Sequence, residues 1–186
     1  MSRIPSHARC VFSGVLFDVF QWEQELFDGS TATFEAVRRL PSVQILATTP
    51  DDRVILLREE QPFVGRFVAV PGGRIDRGHT PEETVLRELR EELGMAPEGI
   101  EPWQTETFGS NIQWTTHDFI ARRCRQVGEP EREPGERIEP YLVTFERLLE
   151  ESERPDFRNK VLANRLFRMR HTPGAIESFR ERLFGR

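Results

Sequence analysis

Hydrophobic positions near the start of the chain alternate with polar ones over short stretches, which is the period of a β-strand. Residues 10–22 are rich in valine and phenylalanine and are predicted to form one strand. Asp28 and Gly29 then lie between two extended runs, and this pair favours a hairpin turn. We therefore predict an antiparallel strand extension over residues 1–40, followed by the main domain over residues 41–186.

The main domain continues with short apolar runs and ends with two segments of helical period. Strands are predicted over residues 42–48, 53–59, 66–70 and 113–124. The first two flank a turn at residues 49–52 and are expected to form one strand–turn–strand unit. Residues 127–140, rich in Pro, Gly and Glu, predict a loop, and residues 141–151 pass from strand to helix. Apolar residues at helical spacing predict amphipathic helices within residues 155–169 and 174–185.

The clearest helix signal lies in the middle of the chain. Thr80 suits the N-cap, Pro81 suits the first helical position, and Glu83 completes a capping box three residues after Thr80. Gly94 supplies the C-terminal stop. We therefore predict a helix over residues 81–93.

Three glutamates crowd the last turns of this helix. Glu88, Glu91 and Glu92 stand at i, i+3 and i+4, so their carboxylates share one face. Mutual repulsion and the helix macrodipole both disfavour acids there. One interpretation is a solvated surface of Glu and Arg, and the other is a site for a hard divalent cation such as Mg²⁺, which binds oxygen ligands. Gly72 and Gly73 favour the second interpretation, because glycine lets the backbone approach a metal or phosphate closely.

Composition narrows the function classes. The chain has 186 residues, of which 37% are hydrophobic, so one domain with an appendage is expected. The net charge of −5 makes nucleic acid and anionic membranes unlikely partners. No apolar run approaches the ~18 residues of a membrane span. Cys10 and Cys124 lie far apart and are expected to be free thiols, so we predict a soluble cytoplasmic protein.

Residues 73–95 resemble the Nudix box, G-x5-E-x7-R-E-U-x-E-E-x-G-U, where U is a bulky aliphatic residue. The second half of the motif is filled in register by Arg87, Glu88, Leu89, Glu91, Glu92, Gly94 and Met95. The departure is His79, which stands where the family has Glu. In the family that Glu orients the box arginine, here Arg87. Glu83, four residues before Arg87, is predicted to hold it instead.

The resemblance implies an α+β fold, an α/β/α sandwich with a mixed sheet between helices. It also implies hydrolysis of a nucleoside diphosphate linked to another moiety, with Mg²⁺ as the cofactor and Mn²⁺ as a substitute. Glu88 and Glu92 would be the main metal ligands, and the Gly72 carbonyl would join them. Glu91 would bind a further ion or act through water. Glu91 and Arg87 are thereby candidate catalytic residues.

The loop after the central strands resembles that of the ADP-ribose pyrophosphatase-like branch of the family. In this branch a Glu on a mobile loop reaches the metals when substrate binds. Glu136 is the first candidate for this catalytic base, Glu133 the second and Glu139 the third. A solvent-exposed acidic loop is the alternative interpretation.

The N-terminal strands resemble strands that the branch exchanges between two subunits, which implies a homodimer. Trp22 is a candidate for stacking on an adenine, with a place in the core or the dimer interface as the alternative. Arg38, Arg58 and Arg66 are candidates for substrate binding. Arg58 or Arg66 would replace the pyrophosphate-contacting arginine that the branch commonly has and that this chain lacks at the expected position.

Two other functions stay open at this point. A non-catalytic nucleotide sensor with the same fold would explain His79, although the complete set of glutamates argues against it. Hydrolysis of RNA 5′ ends would use the Arg-rich C-terminal helices, but the acidic net charge disfavours it.

Overall fold

The computed structural model describes residues 4–132 and 134–185, which form eleven strands and four helices. The strands are β1 Arg9–Ser13, β2 Phe17–Glu25, β3 Thr31–Arg39, β4 Ser42–Ala47, β5 Val54–Gln61, β6 Gly65–Ala69, β7 Met95–Ala96, β8 Gly99–Gly109, β9 Ile112–Arg122, β10 Arg125–Gln126 and β11 Arg137–Val143. The helices are α1 Pro81–Leu93, α2 Phe145–Ser152, α3 Lys160–Arg170 and α4 Ala175–Phe184.

The first three strands form an antiparallel unit in the order β1-β2-β3. The prediction of one strand over residues 10–22 is wrong, because the chain reverses at Gly14, whose N–H donates to the Phe17 carbonyl at 2.8 Å. The predicted hairpin turn at Asp28 and Gly29 is confirmed, and Gly29 has a φ of +83° that favours glycine.

β9 is the centre of the first sheet. It pairs in parallel with β4 and antiparallel with β8. Val37 and Arg38 of β3 also pair in parallel with its start, which attaches the N-terminal strands to the sheet. The sequence pattern missed β8, because Trp103 is the single buried residue among the eleven residues of this fully described strand. An exposed strand without alternating apolar residues carries little signal.

β5 belongs to a separate three-stranded sheet, in the order β11-β5-β6. The expectation that residues 42–48 and 53–59 pair as one unit is therefore wrong. β4 joins β9, β5 joins β6 and β11, and the isolated bridge between Thr48 and Val54 links them. Both strands are buried along most of their length, so their apolar runs lack the alternation that would assign them to a face.

Helices cover the strands on both sides. One buried cluster joins α1 to the strands through Val43, Ile45, Ile55, Leu57, Val85, Leu89 and Leu93. The other joins α2, α3 and α4 to the strands through Leu46, Leu56, Ile120, Leu148, Leu162, Leu166 and Phe179. Each fully buried leucine contributes about 1.5–3 kcal/mol. This arrangement confirms the predicted α/β/α sandwich of the α+β class.

The predicted boundaries of α1 are confirmed at both ends. The Thr80 hydroxyl accepts from the Glu83 N–H at 3.1 Å, and the Glu83 carboxylate accepts from the Thr80 N–H at 2.8 Å. Gly94 ends the helix with a φ of +66°. A Cβ on Gly94 would lie 2.2 Å from the Gly128 carbonyl oxygen, so a larger residue does not fit there. The caps fix which residues of α1 face the site.

None of the helices in residues 4–132 and 134–185 is long and apolar enough to cross a bilayer.

Candidate active site

The site lies where the turn after β6 passes between β4 and α1. The Pro71 and Gly73 carbonyls accept from the Ile45 and Val43 N–H groups of β4, at 2.8 and 2.9 Å. Gly72 has a φ of +151°, and a Cβ there would lie 2.3 Å from the Val43 carbonyl oxygen. The turn therefore runs along β4 at a distance that only glycine permits.

Gly73 makes an equally close approach to the acidic helix. A Cβ on Gly73 would lie 2.1 Å from Glu88 Oε1. On the neighbouring residue, the Gly72 N–H donates to Glu92 Oε2 at 3.2 Å. The two glycines thus bring the backbone against the Glu88 and Glu92 carboxylates.

Glu88 and Glu92 are buried, with 8% and 5% of their surface exposed. Burial raises the pKa of Glu92 well above its usual range, and the neighbouring Glu88 and Glu59 carboxyls raise it further. Two buried acids that repel each other favour either a proton or a metal cation between them.

Arg87 links the Glu88 and Glu91 carboxylates of the helix. Its guanidinium donates to Glu88 Oε1 and Glu91 Oε2, both at 2.7 Å, and to the Arg74 carbonyl at 3.2 Å. Asp76 lies 3.9 Å from it. The prediction that Glu83 holds Arg87 is wrong, because the Glu83 carboxylate serves the helix cap.

His79 stands apart from these carboxylates. It is exposed in the turn before α1, and its backbone N–H donates to the Asp76 carbonyl at 3.1 Å. Its side chain is absent from the described lining of the cavity that holds Glu88, Glu91 and Glu92. The replacement of the usual Glu by His therefore leaves the acidic cluster in place.

The acidic cluster has the chemistry of a Mg²⁺ site. In the described part of the chain, no three Asp, Glu, His or Cys side chains are gathered closely enough to enclose a cation by themselves. Mg²⁺ does not require such a cage, because it is usually bound by one or two carboxylates together with waters and substrate phosphates. The buried Glu88 and Glu92 carboxylates beside Gly72 fit this mode of binding.

Comparison with known proteins assigns the chain to a family. The family description "NUDIX domain" matches residues 38–164, which include β4, the glycine turn, α1 and the loop with Glu136. The chain belongs to the NUDIX family. This result confirms the predicted resemblance and indicates a Nudix pyrophosphohydrolase.

The individual relatives include an ADP-ribose pyrophosphatase. The chain is 29% identical over 145 residues to an ADP-ribose pyrophosphatase from Bacillus subtilis (strain 168), covering 75% of this chain and 77% of the relative. It is 32% identical over 92 residues to a methanol dehydrogenase activator from Bacillus methanolicus, covering 49% and 50%. The crystal structure of an ADP compounds hydrolase superposes with a TM-score of 0.71 at 22% identity, over 88% of this chain and 90% of the other, which shows the shared fold.

The Nudix glutamates line the smaller of two adjoining cavities. This cavity has a volume of about 200 Å³, and the larger one beside it measures about 470 Å³. Both are lined by Gly72, Gly73, Arg74, Glu92 and Glu136. Because these residues border both cavities, a ligand longer than one phosphate could extend from the acidic cluster into the larger cavity.

Of the three loop glutamates predicted as the base, the structure brings Glu136 to the cluster. Gln61 Nε2 donates to Glu136 Oε1 at 3.2 Å and lies 3.5 Å from Glu59 Oε2. Glu133 lies outside the described residues. Glu139 pairs instead with Arg58 across β11 and β5, at 3.4 Å.

The predicted substrate-binding residues lie elsewhere. Arg58 and Arg66 line a third cavity of about 600 Å³, whose described lining does not include Glu88, Glu91 or Glu92. Arg66 pairs there with Glu60 at 3.5 Å. Arg38 on β3 pairs with Asp18 at 3.0 Å, and Trp22 on β2 packs 6.1 Å from Phe34 between ring centroids. These four remain sequence predictions that the geometry does not bring to the acidic cluster.

Besides Arg74, the 470 Å³ cavity holds two arginines that the sequence did not single out, Arg39 and Arg158. Arg39 follows the predicted Arg38, and successive side chains on a strand point to opposite faces. An error of one residue therefore selects the wrong face. Arg158 precedes α3 in an irregular segment, where no periodicity indicates a direction.

Proposed function

We propose that this Nudix protein is a divalent-cation-dependent hydrolase of the ADP-ribose or nucleotide-sugar type. It cleaves the diphosphate of a nucleoside diphosphate linked to another moiety, giving a nucleoside monophosphate and a phosphorylated remainder. The observation that carries the proposal is the buried Glu88 and Glu92 pair against the Gly72–Gly73 turn. The relative described as an ADP-ribose pyrophosphatase supports the substrate class.

Glu88, Glu92 and the Gly72 carbonyl are the proposed ligands of Mg²⁺, with Mn²⁺ as a substitute, and Glu91 is proposed to act through water or a further ion. When bound, the cation neutralises phosphate charge and lowers the pKa of a water molecule. Arg87 contacts both Glu88 and Glu91, so its proposed role is to hold these carboxylates in position.

Glu136 is the proposed general base, with Glu133 as the second candidate. Glu136 borders both cavities, so its carboxylate can accept a proton from a water that attacks a phosphate at their junction. The Gln61 amide donates to Glu136 and thereby orients the loop towards the cluster.

A homodimer and a cytoplasmic location complete the proposal. Large apolar side chains are exposed on the N-terminal unit, including Phe12, Val15, Leu16, Phe17 and Phe27. Such a surface suits a second copy of the chain. The division into residues 1–40 and 41–186 also stays a prediction. Sedimentation analysis tests the dimer: a monomer at micromolar concentration would contradict it.

An activity screen tests the proposed reaction. About thirty nucleoside diphosphate derivatives are incubated with the protein and Mg²⁺ or Mn²⁺, and products are identified by mass. We expect a nucleoside monophosphate and a phosphorylated remainder from at least one compound, and little product with excess chelator. Tight nucleotide binding by calorimetry without turnover across the panel would contradict the proposal and favour the sensor.

A further inference from the structure

Arg39 and Arg158 in the 470 Å³ cavity stack on aromatic rings rather than pair with carboxylates. The Arg39 guanidinium carbon lies 4.5 Å from the centre of the Trp114 ring, and that of Arg158 lies 4.5 Å from the centre of the Phe67 ring. Within residues 4–132 and 134–185, neither guanidinium has a carboxylate within 4.0 Å. Nη1 of Arg158 donates to Gln61 Oε1 at 3.3 Å. Stacking holds each planar group in place and leaves its other N–H donors available for a ligand.

The two guanidiniums also act on each other. Burial lowers the pKa of Arg39, and the positive charge of Arg158 lowers it further. Burial and the charge of Glu136 raise the pKa of Glu59 to about 7 and outweigh the charge of Arg158, which lowers this pKa, so Glu59 is only partly charged at neutral pH. Because little negative charge lies beside the two neighbouring guanidiniums, they favour a bound anion.

The N-terminus of α3 lines the same cavity through Asn159, Lys160 and Val161. The Asn159 side chain does not cap the helix. It accepts from the Val70 N–H at 3.1 Å and donates to the Gln44 side chain at 2.9 Å. α3 has 11 residues and no side-chain cap, so the positive end of its macrodipole adds to the positive charge of the two arginines.

The smaller cavity has cationic groups of its own. Arg74, Arg87 and Arg132 line it together with the glutamates proposed to bind the metal. Arg74 and Arg87 are paired with carboxylates there, but the cation proposed to bind the glutamates would neutralise the scissile diphosphate. Arg39 and Arg158 are therefore not required for that task. The larger cavity, at about 470 Å³, has room for a further phosphorylated part of the substrate.

We propose that Arg39, Arg158 and the α3 N-terminus form a second phosphate-binding site. It takes a phosphate monoester that the substrate carries outside its scissile diphosphate. The substrate class is thus a nucleoside diphosphate derivative with one additional phosphate. This inference rests on the proposed function, which it deepens.

Matched substrates that differ by one phosphate monoester test the site. ADP-ribose is compared with its 2′-phosphate, and dephospho-coenzyme A with coenzyme A. We expect kcat/KM to favour the phosphorylated member of at least one pair by about tenfold, the effect of one charge-assisted hydrogen bond. Arg39→Gln and Arg158→Gln should each reduce this preference, and the double variant should abolish it.

Arg180→Gln is the matched control. Arg180 also lies over an aromatic ring, with its guanidinium carbon 5.5 Å from the Phe145 ring centre, but it has a carboxylate partner in Glu146 at 2.8 Å. It lies outside the described lining of both cavities, so this variant should keep the wild-type preference. A loss of preference in Arg180→Gln equal to that in Arg39→Gln would contradict the assignment.

A binding experiment separates this inference from the proposed reaction. Calorimetry compares adenosine 2′,5′-bisphosphate and adenosine 3′,5′-bisphosphate with AMP. Tighter binding of a bisphosphate, lost in the double variant, supports the site even if no substrate is cleaved. The second site would be overturned, with the proposed reaction intact, by two results together. One is hydrolysis of the substrates that lack the additional phosphate with no preference in either pair, and the other is equal binding of the three nucleotides. Inorganic phosphate that binds the arginines as tightly as the bisphosphate would assign the site to free phosphate and overturn its assignment to the substrate.

Discussion

Replacing Glu59 with Gln should remove a pH-dependent loss of stability. Glu59 on β5 is 8% exposed, and its pKa is raised from an ordinary value of 4.5 to about 7 by burial and by the charge of Glu136. The folded protein therefore holds this proton more tightly than the unfolded chain does. The stabilisation from the neutral carboxyl is fully present below pH 4.5 and is lost as pH rises through about 7.

The size of the effect follows from the two pKa values. A rise from 4.5 to about 7 corresponds to about 3 kcal/mol of unfolding free energy. Gln has nearly the same shape and cannot ionise. The difference in stability between wild type and Glu59→Gln should therefore change by about 3 kcal/mol between pH 4.5 and 8, in favour of the variant at high pH.

Urea unfolding in the presence of a chelator measures this difference. Both proteins are unfolded at half-unit intervals from pH 4.5 to 8, and Glu82→Gln, which removes an exposed acid from the first turn of α1, is the control. The control should follow the wild-type profile. Parallel profiles for wild type and Glu59→Gln would show that Glu59 ionises without penalty and would refute the reasoning.

Three further substitutions test the glycine turn and the start of α1. Thr80→Ala removes the hydroxyl that accepts from Glu83, so it should lower the unfolding free energy by about 1 kcal/mol in urea, and an unchanged value would contradict the cap. Gly73→Ala places a Cβ 2.1 Å from Glu88 Oε1, so steady-state assays should show a large fall in turnover with little change in melting temperature. His79→Glu alters an exposed residue outside the acidic cavity, so kcat should change modestly. Activation of an inert wild type by this substitution would support the sensor instead.

The helix and the acidic cluster could be predicted because their signals are local. Thr80, Glu83 and Gly94 lie within one short segment and directly make the caps. Glu88 and Glu92 share a face by helical geometry alone. The sequence therefore located these carboxylates before any tertiary contact was known.

Contacts between distant segments carried no comparable signal. Gln61 meets Arg158 across 97 residues of sequence, with Nη1 of Arg158 3.3 Å from Oε1 of Gln61. The pairing of β4 with β9 rather than β5 depends on the whole sheet. Arg39 was missed for a different reason. The strand that carries it was predicted, but the sequence did not indicate which face of that strand borders the cavity.

The most direct test of the central claim is the turnover of Glu92→Gln with Mg²⁺ and the best substrate from the screen. Glu92 is a buried proposed metal ligand, whereas Glu82 is an exposed acid of the same helix. We predict a fall in kcat of at least about 10²-fold for Glu92→Gln, with the fold retained by circular dichroism, and near wild-type turnover for Glu82→Gln. Wild-type turnover in Glu92→Gln would contradict the assignment of catalysis to the acidic cluster.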